Sequence, residues 1–487
     1  MIKIANLLAV AFFLLQSVYT VAQTNDEAGK KIDALFASYT AHTPGAAVAI
    51  VKDGKVIFKK GYGMADLDHD IPITPQTVFN IASVSKQFTA FAIYLLESES
   101  RIALEDDVRK YISELPDYGT TIKIKHLLGH TSGLRDQAAM TSLAGWRSSD
   151  VMTTEQIIKL IARQRNLNFT PGSMFNYSNT GYTLLAEIVY RVTGKTFAAY
   201  AEEKIFRPLG MTSTQVYDNY EKIVKNKAES YERNNTLYFH KPLNASNAGP
   251  SNVLTTVEDL SKWVMNFEKP VVGNNQLIKA FNEVSYLDNG KKVVLRISNG
   301  DTIFHAKGQN VSNYKGIKTF SHGGHTAGFR TYMGRFPDQH FAIIALSNDE
   351  HNENLSARWQ IADFYLRDYL KEKKMTGAGP QNTSSGKATT DATATISYSG
   401  NMKDLEGEYY SDELSTSYNF EVRGDKLIMR HLRLSDLELN QVGENKFSGS
   451  GPETFLFEME FSRNETTVTG FLVSNFGIKN LQFTKVK

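Results

Sequence analysis

Two hydrophobic periods alternate along the chain. Ile32, Leu35 and Phe36 recur at helical spacing within Glu27–Thr40. Ala46–Val51 and Lys55–Lys59 read as strands joined by Lys52-Asp53-Gly54, and Asp-Gly between two strand runs is a hairpin cue. Pro72 and Pro75 interrupt regular structure. Ser83–Ser98 reads as a helix whose centre, Ala90-Phe91-Ala92-Ile93-Tyr94-Leu95-Leu96, is apolar all round and predicts burial on every side. Residues 100–265 read as mainly helical, between loops rich in Ser, Thr and Asn. In Tyr182–Val192 the side chains of Leu184, Leu185, Ile188, Val189 and Val192 share one face, and Gly194 stands where that helix would stop.

Strand patterns return at Thr331–Phe336 and Phe341–Ser347, on either side of Pro337-Asp338-Gln339, and Leu355–Lys373 reads as a closing helix. Thr376–Thr395 holds only small and polar residues, so residues 374–400 are expected to form a linker with too little apolar surface to fold. Residues 401–487 return to short alternating runs, among them Tyr418–Val422, Lys426–Arg430, Phe455–Phe461 and Thr466–Val473, with Arg423-Gly424-Asp425 as a turn. They predict a small all-β domain behind a larger one at 23–373, and no internal repeat is present.

Residues 1–22 read as an export signal: Lys3, an apolar run from Ile4 to Leu15, and small residues at Thr20-Val21-Ala22. The apolar run is short of the ~20 residues of a membrane span, although an uncleaved anchor is the alternative. No later segment is long and apolar enough to span a bilayer, so the mature chain is expected outside the cytoplasm, periplasmic or secreted. Composition narrows the chemistry. With 54 basic and 52 acidic residues among 487, the net charge is +2, without the basic excess that nucleic-acid binding needs. Cysteine is absent, which excludes disulfide scaffolds, thiolate metal sites and cysteine nucleophiles.

Three short motifs carry candidate chemistry. Ser83-Val84-Ser85-Lys86 places a hydroxyl and an amine on one helical face. Serine needs a neighbour to take its proton, and a lysine buried in an apolar helix, its pKa lowered by desolvation, can be that neighbour. Ser312–Lys315 and Ser384–Lys387 share the spacing, but only Ser83 opens the most hydrophobic helix. Tyr177-Ser178-Asn179 follows the Pro171-Gly172 turn and precedes a helix, unlike the similar Tyr217-Asp218-Asn219. Its phenol offers a second proton-handling group, and Asn179 a group to hold Lys86 or a substrate amide; a helix-capping tyrosine is the plainer reading. His322-Gly323-Gly324, followed by His325, is the one His-x-Gly in the chain. Its glycines suit close approach of a substrate backbone to a strand, with the His325 and Ser83 N–H groups facing an oxyanion; a glycine-rich turn with a solvated histidine is the alternative. His126 and His130 stand four apart, but no glutamate base follows, so they read as structural, with Gly133 ending a helix.

In this order and spacing, 94 and then 145 residues apart, the three motifs resemble those of the serine β-lactamase and penicillin-binding-protein-like hydrolase family, in the branch of class C β-lactamases, D-Ala-D-Ala carboxypeptidases and esterases. Gly61-Tyr62-Gly63, Ala65-Asp66, Phe79-Asn80-Ile81-Ala82, His130-Thr-Ser-Gly-Leu134, Phe206-Arg-Pro-Leu-Gly-Met211 and Thr256-Val-Glu-Asp-Leu260 fit as well. The resemblance, over roughly residues 30–370, implies an α+β fold: an antiparallel sheet flanked by the terminal helices, an inserted helical subdomain, and a site in the cleft between them. It implies an acyl-enzyme on Ser83, with Lys86 as base, Tyr177 as second acid/base, Asn179, His322, Gly323, Gly324 and His325 at the substrate, oxyanion N–H groups from Ser83 and His325, and no metal or cofactor. The substrate implied is a small molecule or peptide, peptidoglycan-derived fragments included. Lys-Thr-Gly, the third motif of many β-lactamases, occurs nowhere in the chain. A histidine there is charged only part of the time near neutral pH, which favours peptides or esters over β-lactams. The final β domain resembles lipocalin-like accessory domains, and a non-catalytic cell-wall-binding or sensor protein on this scaffold is the alternative of another class.

Overall fold

The computed structural model describes residues 27–370 and 401–486, apart from 148, 299, 352–356, 452, 453 and 466. The segments read as an export signal (1–22) and as a linker (374–400), including Ser384–Lys387, lie outside the described residues.

A helix, α1, over residues 27–35 leads into the hairpin of β1 (Ala46–Lys52) and β2 (Lys55–Tyr62). These join β3 (Val294–Ser298), β4 (Asp301–Ala306), β5 (Gln309–Tyr314), β6 (Ile317–Thr326), β7 (Phe329–Phe336) and β8 (Phe341–Ser347) in one antiparallel sheet of order β3-β4-β5-β6-β7-β8-β1-β2. β1 is buried on both faces because both are covered. Ala46, Val48 and Ile50 pack with Ile32 of α1, with Phe36 just after it and with Ile361, on the helix α10 (Ala357–Tyr365); Ala47, Ala49 and Val51 join the main core.

That main core is organised around α2 (Lys86–Ser98), in which nearly every side chain is buried. Phe88 packs tilted and Phe91 edge-on against Trp263, with ring centres 4.6 and 5.1 Å away. Between β2 and β3 the chain also forms α3 (Ile124–Leu128), α4 (Gln137–Leu143), α5 (Thr154–Ala162), α6 (Asn179–Thr193), α7 (Phe197–Ala201), α8 (Val257–Asn266) and α9 (Asn275–Asn282). α6 ends at Gly194 in the left-handed region (φ 72°), as the sequence predicts.

Three expectations need correction. The helical reading of 100–265 misses a hairpin, Tyr231–Asn234 with Leu237–His240, and the short strands Gln215–Val216 and Val253–Thr255. The strands β3 to β6 precede the first strand expected in that half of the chain. β3 to β5 lie toward the sheet's edge, and β3, with four of its five residues exposed, has no buried face to impose alternation, while β6 is a central strand whose burial does not alternate strictly. Of the closing helix expected at Leu355–Lys373, the described part is α10 and a 3-10 turn, Arg367–Tyr369.

The second unit is a closed antiparallel barrel of β9 (Gly407–Ser411), β10 (Thr416–Arg423), β11 (Lys426–His431), β12 (Leu434–Gln441), β13 (Lys446–Gly451), β14 (Thr454–Asn464), β15 (Thr467–Ser474) and β16 (Leu481–Lys485). β16 closes it on β9, Tyr409 opposite Lys485. Eight strands enclose either packed side chains or one small ligand. Here Tyr409, Phe420, Phe447, Phe461, Phe471 and Phe483 are all buried in mutual ring contact, so the interior is filled. No helix among the described residues is long and apolar enough to cross a membrane.

Candidate active site

The peptide carrying Ser83 is a 3-10 turn, Ala82–Ser85, and α2 begins only at Lys86. The serine therefore precedes the α-helix it was expected to open, yet a 3-10 turn also aligns residues i and i+3, so the Ser83–Lys86 relation survives. Ala82 holds φ at 48°, a strained conformation for a residue with a Cβ, worth about 1–3 kcal/mol. Its surroundings fix it. Asn80 Oδ1 accepts from the Ala82 N–H (2.8 Å), Thr331 Oγ1 donates to the Ile81 carbonyl (2.9 Å), and Ser85 Oγ accepts from the Val253 N–H (3.0 Å). β6 runs alongside. A Cβ on Gly324 would lie 2.4 Å from the Ile81 carbonyl oxygen and 2.9 Å from Ala82 Cβ. Gly324 thus admits the protein's own turn, rather than a substrate backbone. Gly323 is the open one: it is exposed, and a Cβ there would meet only the Thr331 carbonyl oxygen, at 3.7 Å.

Lys86 is wholly buried. Its Nζ donates to Ser83 Oγ (3.1 Å), Asn179 Oδ1 (2.9 Å) and the Pro250 carbonyl (2.8 Å). All three acceptors are neutral. Burial pushes the amine down to about 7, against the opposing pull of the Asp136 carboxylate. Tyr177 OH donates to the same Ser83 Oγ at 3.0 Å, and its ring centre lies 4.9 Å from Lys86 Nζ. Burial raises this phenol, which stays protonated at neutral pH. Ser83, Tyr177 and Asn179 are half-buried, at the exposed side of the wholly buried Lys86.

His322 is buried, its Nδ1 donating to the Gly323 carbonyl (2.5 Å). Burial, with the Lys86 ammonium nearby, pushes it down to about 4. It is therefore neutral near pH 7 rather than charged part of the time. His325 follows Gly324 on β6, opposite Arg330 on β7; its side chain is exposed. The rival motif matches are occupied elsewhere. Ser312 Oγ bonds Thr319 Oγ1 (2.6 Å), Lys315 pairs with Asp363 (2.7 Å), and Tyr217 OH donates to the Tyr220 carbonyl (2.5 Å).

Two residues join the site that the sequence reading left out. His130, read as structural, stacks on the Tyr177 ring (4.3 Å between centres). Its Nδ1 lies 3.1 Å from both the N and the O of Ser178, and its carbonyl accepts from the Asn176 N–H (2.9 Å), so it grips the chain on both sides of Tyr177. Gly133 ends no helix; α3 stops at Gly129, and Gly133 (φ 74°) makes a turn packed on Phe169. Asp136 is the second. It caps α4 through Oδ1, accepting from the Ala138 (2.9 Å) and Ala139 (3.3 Å) N–H groups, while Oδ2 accepts from the Asn179 N–H (2.5 Å). Its carboxyl is raised by burial. The His-Thr-Ser-Gly run marked His130; a lone aspartate before a short helix reads only as a cap.

Among known proteins, the Beta-lactamase family model matches residues 32–366. The chain is 28% identical over 331 residues to a penicillin-binding protein of Bacillus subtilis (strain 168), covering 64% of this chain and 69% of that one. It is 27% identical over 309 residues to a D-aminopeptidase of Brucella anthropi, covering 63% of this chain but only 56% of the relative. Among solved structures, the octameric penicillin-binding protein homologue from Pyrococcus abyssi superposes with a TM-score of 0.61 at 22% identity, over 94% of this chain and 99% of that one, which establishes a shared fold that takes in the barrel. Because the family match spans most of the sequence and includes Ser83, Lys86, Tyr177 and His322, the chain belongs to the Beta-lactamase family, whose members are serine hydrolases.

Proposed function

We propose that this protein is an exported serine hydrolase that acts through an acyl-enzyme on Ser83, on D-amino-acid peptides or on esters. The observation that carries the reading is the position of Ser83 Oγ, 3.1 Å from Lys86 Nζ and 3.0 Å from Tyr177 OH. With a pKa of about 7, Lys86 is neutral in a large share of molecules near physiological pH and takes the serine proton as Oγ attacks a substrate carbonyl. The main-chain N–H groups of Ser83 and His325 receive the oxyanion. Tyr177 passes a proton to the leaving amine or alcohol and recovers one from the Lys86 ammonium. Water then attacks the acyl-enzyme, giving its proton back through the same pair, and Ser83 is released. Asn179 fixes Lys86 and the substrate amide, and Gly323 leaves room for the substrate chain.

A relative named D-aminopeptidase supports D-amino-acid substrates. The neutral His322 offers no fixed cation to a β-lactam carboxylate, which favours peptides and esters. Export rests on the amino-terminal pattern alone. The test is fluorophosphonate labelling read by intact mass, beside turnover of D-alanine p-nitroanilide, p-nitrophenyl butyrate and nitrocefin. Labelling should be lost in Ser83→Ala; equal labelling of both proteins overturns the assignment, and nitrocefin as the fastest substrate overturns the substrate preference.

A further inference from the structure

The loop Asn475–Asn480, between β15 and β16 of the barrel, reaches out of that domain and against the helical subdomain at the site. The Gly477 carbonyl accepts from the Asp136 N–H (2.8 Å) and from Asn168 Nδ2 (2.9 Å). The Phe476 carbonyl accepts from Asn176 Nδ2 (3.1 Å), next to Tyr177, and the Lys479 N–H donates to Asn168 Oδ1 (2.8 Å). Arg135 Nη2 donates to the Lys479 and Asn480 carbonyls (3.2 and 3.4 Å), while its Nη1 pairs with the barrel's Glu413 at 2.5 Å. Both members of that pair are buried, so the contact is a fixed one: breaking it would leave a buried charge uncompensated. Gly477 packs without slack. A Cβ there would lie 2.7 Å from Asp136 Cβ and 3.0 Å from Ala139 Cβ. Asp136 in turn holds the Asn179 N–H, and Asn179 holds Lys86.

We infer that the barrel loop Asn475–Asn480, through the Gly477 carbonyl, positions Asp136 and with it Asn179 and Lys86, so that the barrel is a working part of the hydrolytic site. The inference rests on the reading of Ser83 as nucleophile. It also gives the barrel, whose filled interior leaves no room for a guest, a task. Gly477 and Asn168 are positioning residues here, four and five contacts away from the reacting hydroxyl.

The experiment uses the full chain as wild type, Gly477→Ala, Asn168→Ala and, as control, Glu421→Gln on the barrel's exposed ion-pair cluster. Each is assayed for p-nitrophenyl butyrate turnover across pH and for fluorophosphonate labelling. Gly477→Ala should lower kcat roughly tenfold to a hundredfold with KM within about twofold, because a displacement of an ångström near the reacting groups is worth that much. The acid limb should also move to lower pH. The charged or titratable groups facing Lys86 are Asp136, Tyr177, Tyr182, His130, His305 and His322, and of these only the Asp136 carboxylate sets a negative charge against the ammonium, so its displacement leaves the amine easier to deprotonate. Asn168→Ala, which removes bonds without a clash, should shift kcat and the limb the same way by less, and Glu421→Gln should match wild type. A folded Gly477→Ala with wild-type kcat and an unmoved limb overturns the inference; if that variant does not fold, Asn168→Ala decides on the same two readouts. A wild type that neither turns over ester nor labels at Ser83 overturns the hydrolase reading instead.

Discussion

The floor of the cleft around Ser83 and the interior of the barrel are both lined by buried side chains, but of opposite kinds. The cleft holds Lys86, Asp136, His130, His305 and His322, and His130 Nε2, His305 Nε2 and Ser178 Oγ make no hydrogen bond to the described residues. Ala82 adds backbone strain. The barrel holds rings: Phe471 lies 4.6 to 5.6 Å from Phe483, Tyr409, Phe420 and Phe461, and the one phenol among them, Tyr409 OH, donates to the Leu405 carbonyl at 2.9 Å. Each choice has a thermodynamic sign. Desolvated amines and imidazoles destabilise the fold in return for reactivity, whereas packed rings stabilise it. The two regions are latched together through Arg135–Glu413, Tyr418 OH on the Leu143 carbonyl (3.0 Å) and the Gly477 loop, so the barrel's stability backs the strained half.

The contrast is sharpest at Lys86. Replacing it with Met should reduce ester turnover about a thousandfold, the usual worth of a general base. The same change should stabilise the protein at pH 7 by on the order of 2 kcal/mol, net of the three hydrogen bonds lost, because a charge no longer has to be buried. The folded amine titrates at about 7 and the unfolded one near 10.5, so between those values the unfolded chain binds more protons and wild-type stability rises with pH. The gain from Lys86→Met must therefore be largest at or below pH 7 and fade toward pH 10.5. Urea unfolding of both proteins at pH 7 and 10 checks this; a Met variant less stable than wild type at pH 7 would break the comparison.

In the barrel the same logic runs the other way. Phe471→Ala should lower unfolding free energy by about 3–4 kcal/mol, the transfer and cavity cost of a fully buried ring. It should leave fluorophosphonate labelling of the folded fraction unchanged at low temperature. Thermal unfolding followed by circular dichroism reads the first effect. A loss below about 1 kcal/mol would mean that the rings are not what holds the barrel closed.

The sequence was most readable where one physical demand acted alone. The apolar all-round centre of α2 required burial, Gly194 required a helix end, and Ser83, Lys86, Tyr177 and Asn179 could be chosen because their chemistry needs one another. It was least readable where partners come from main chain or from distant segments. The Pro250 carbonyl on Lys86 has no side-chain signature, Asp136 shows itself only once Asn179 is placed against it, and the neutrality of His322 follows from burial, with Lys86 nearby, that only the fold creates. The strands β3 to β5 escaped because half-exposed polar strands toward a sheet edge carry no strict alternation. Gly324 was assigned to close approach for the right physical reason, but the backbone that approaches is Ile81-Ala82.

The smallest expected effect tests whether the cleft histidines are held neutral. His322 titrates at about 4 in the folded protein and near 6.5 when unfolded. Between those values the unfolded chain binds the extra proton, so stability present above pH 6.5 is lost as the pH falls toward 4. From pH 6.5 to 5.5 this one group removes about 1 kcal/mol. His322→Gln shifts absolute stability through packing as well, but that shift is the same at both pH values and cancels when each protein is compared with itself. The wild type should therefore lose about 1 kcal/mol more than His322→Gln over that single pH unit, read from urea midpoints at constant salt. Equal losses would mean that the imidazole is protonated in place, as a cation facing the substrate, and the preference for peptides and esters over β-lactams would lose its physical basis.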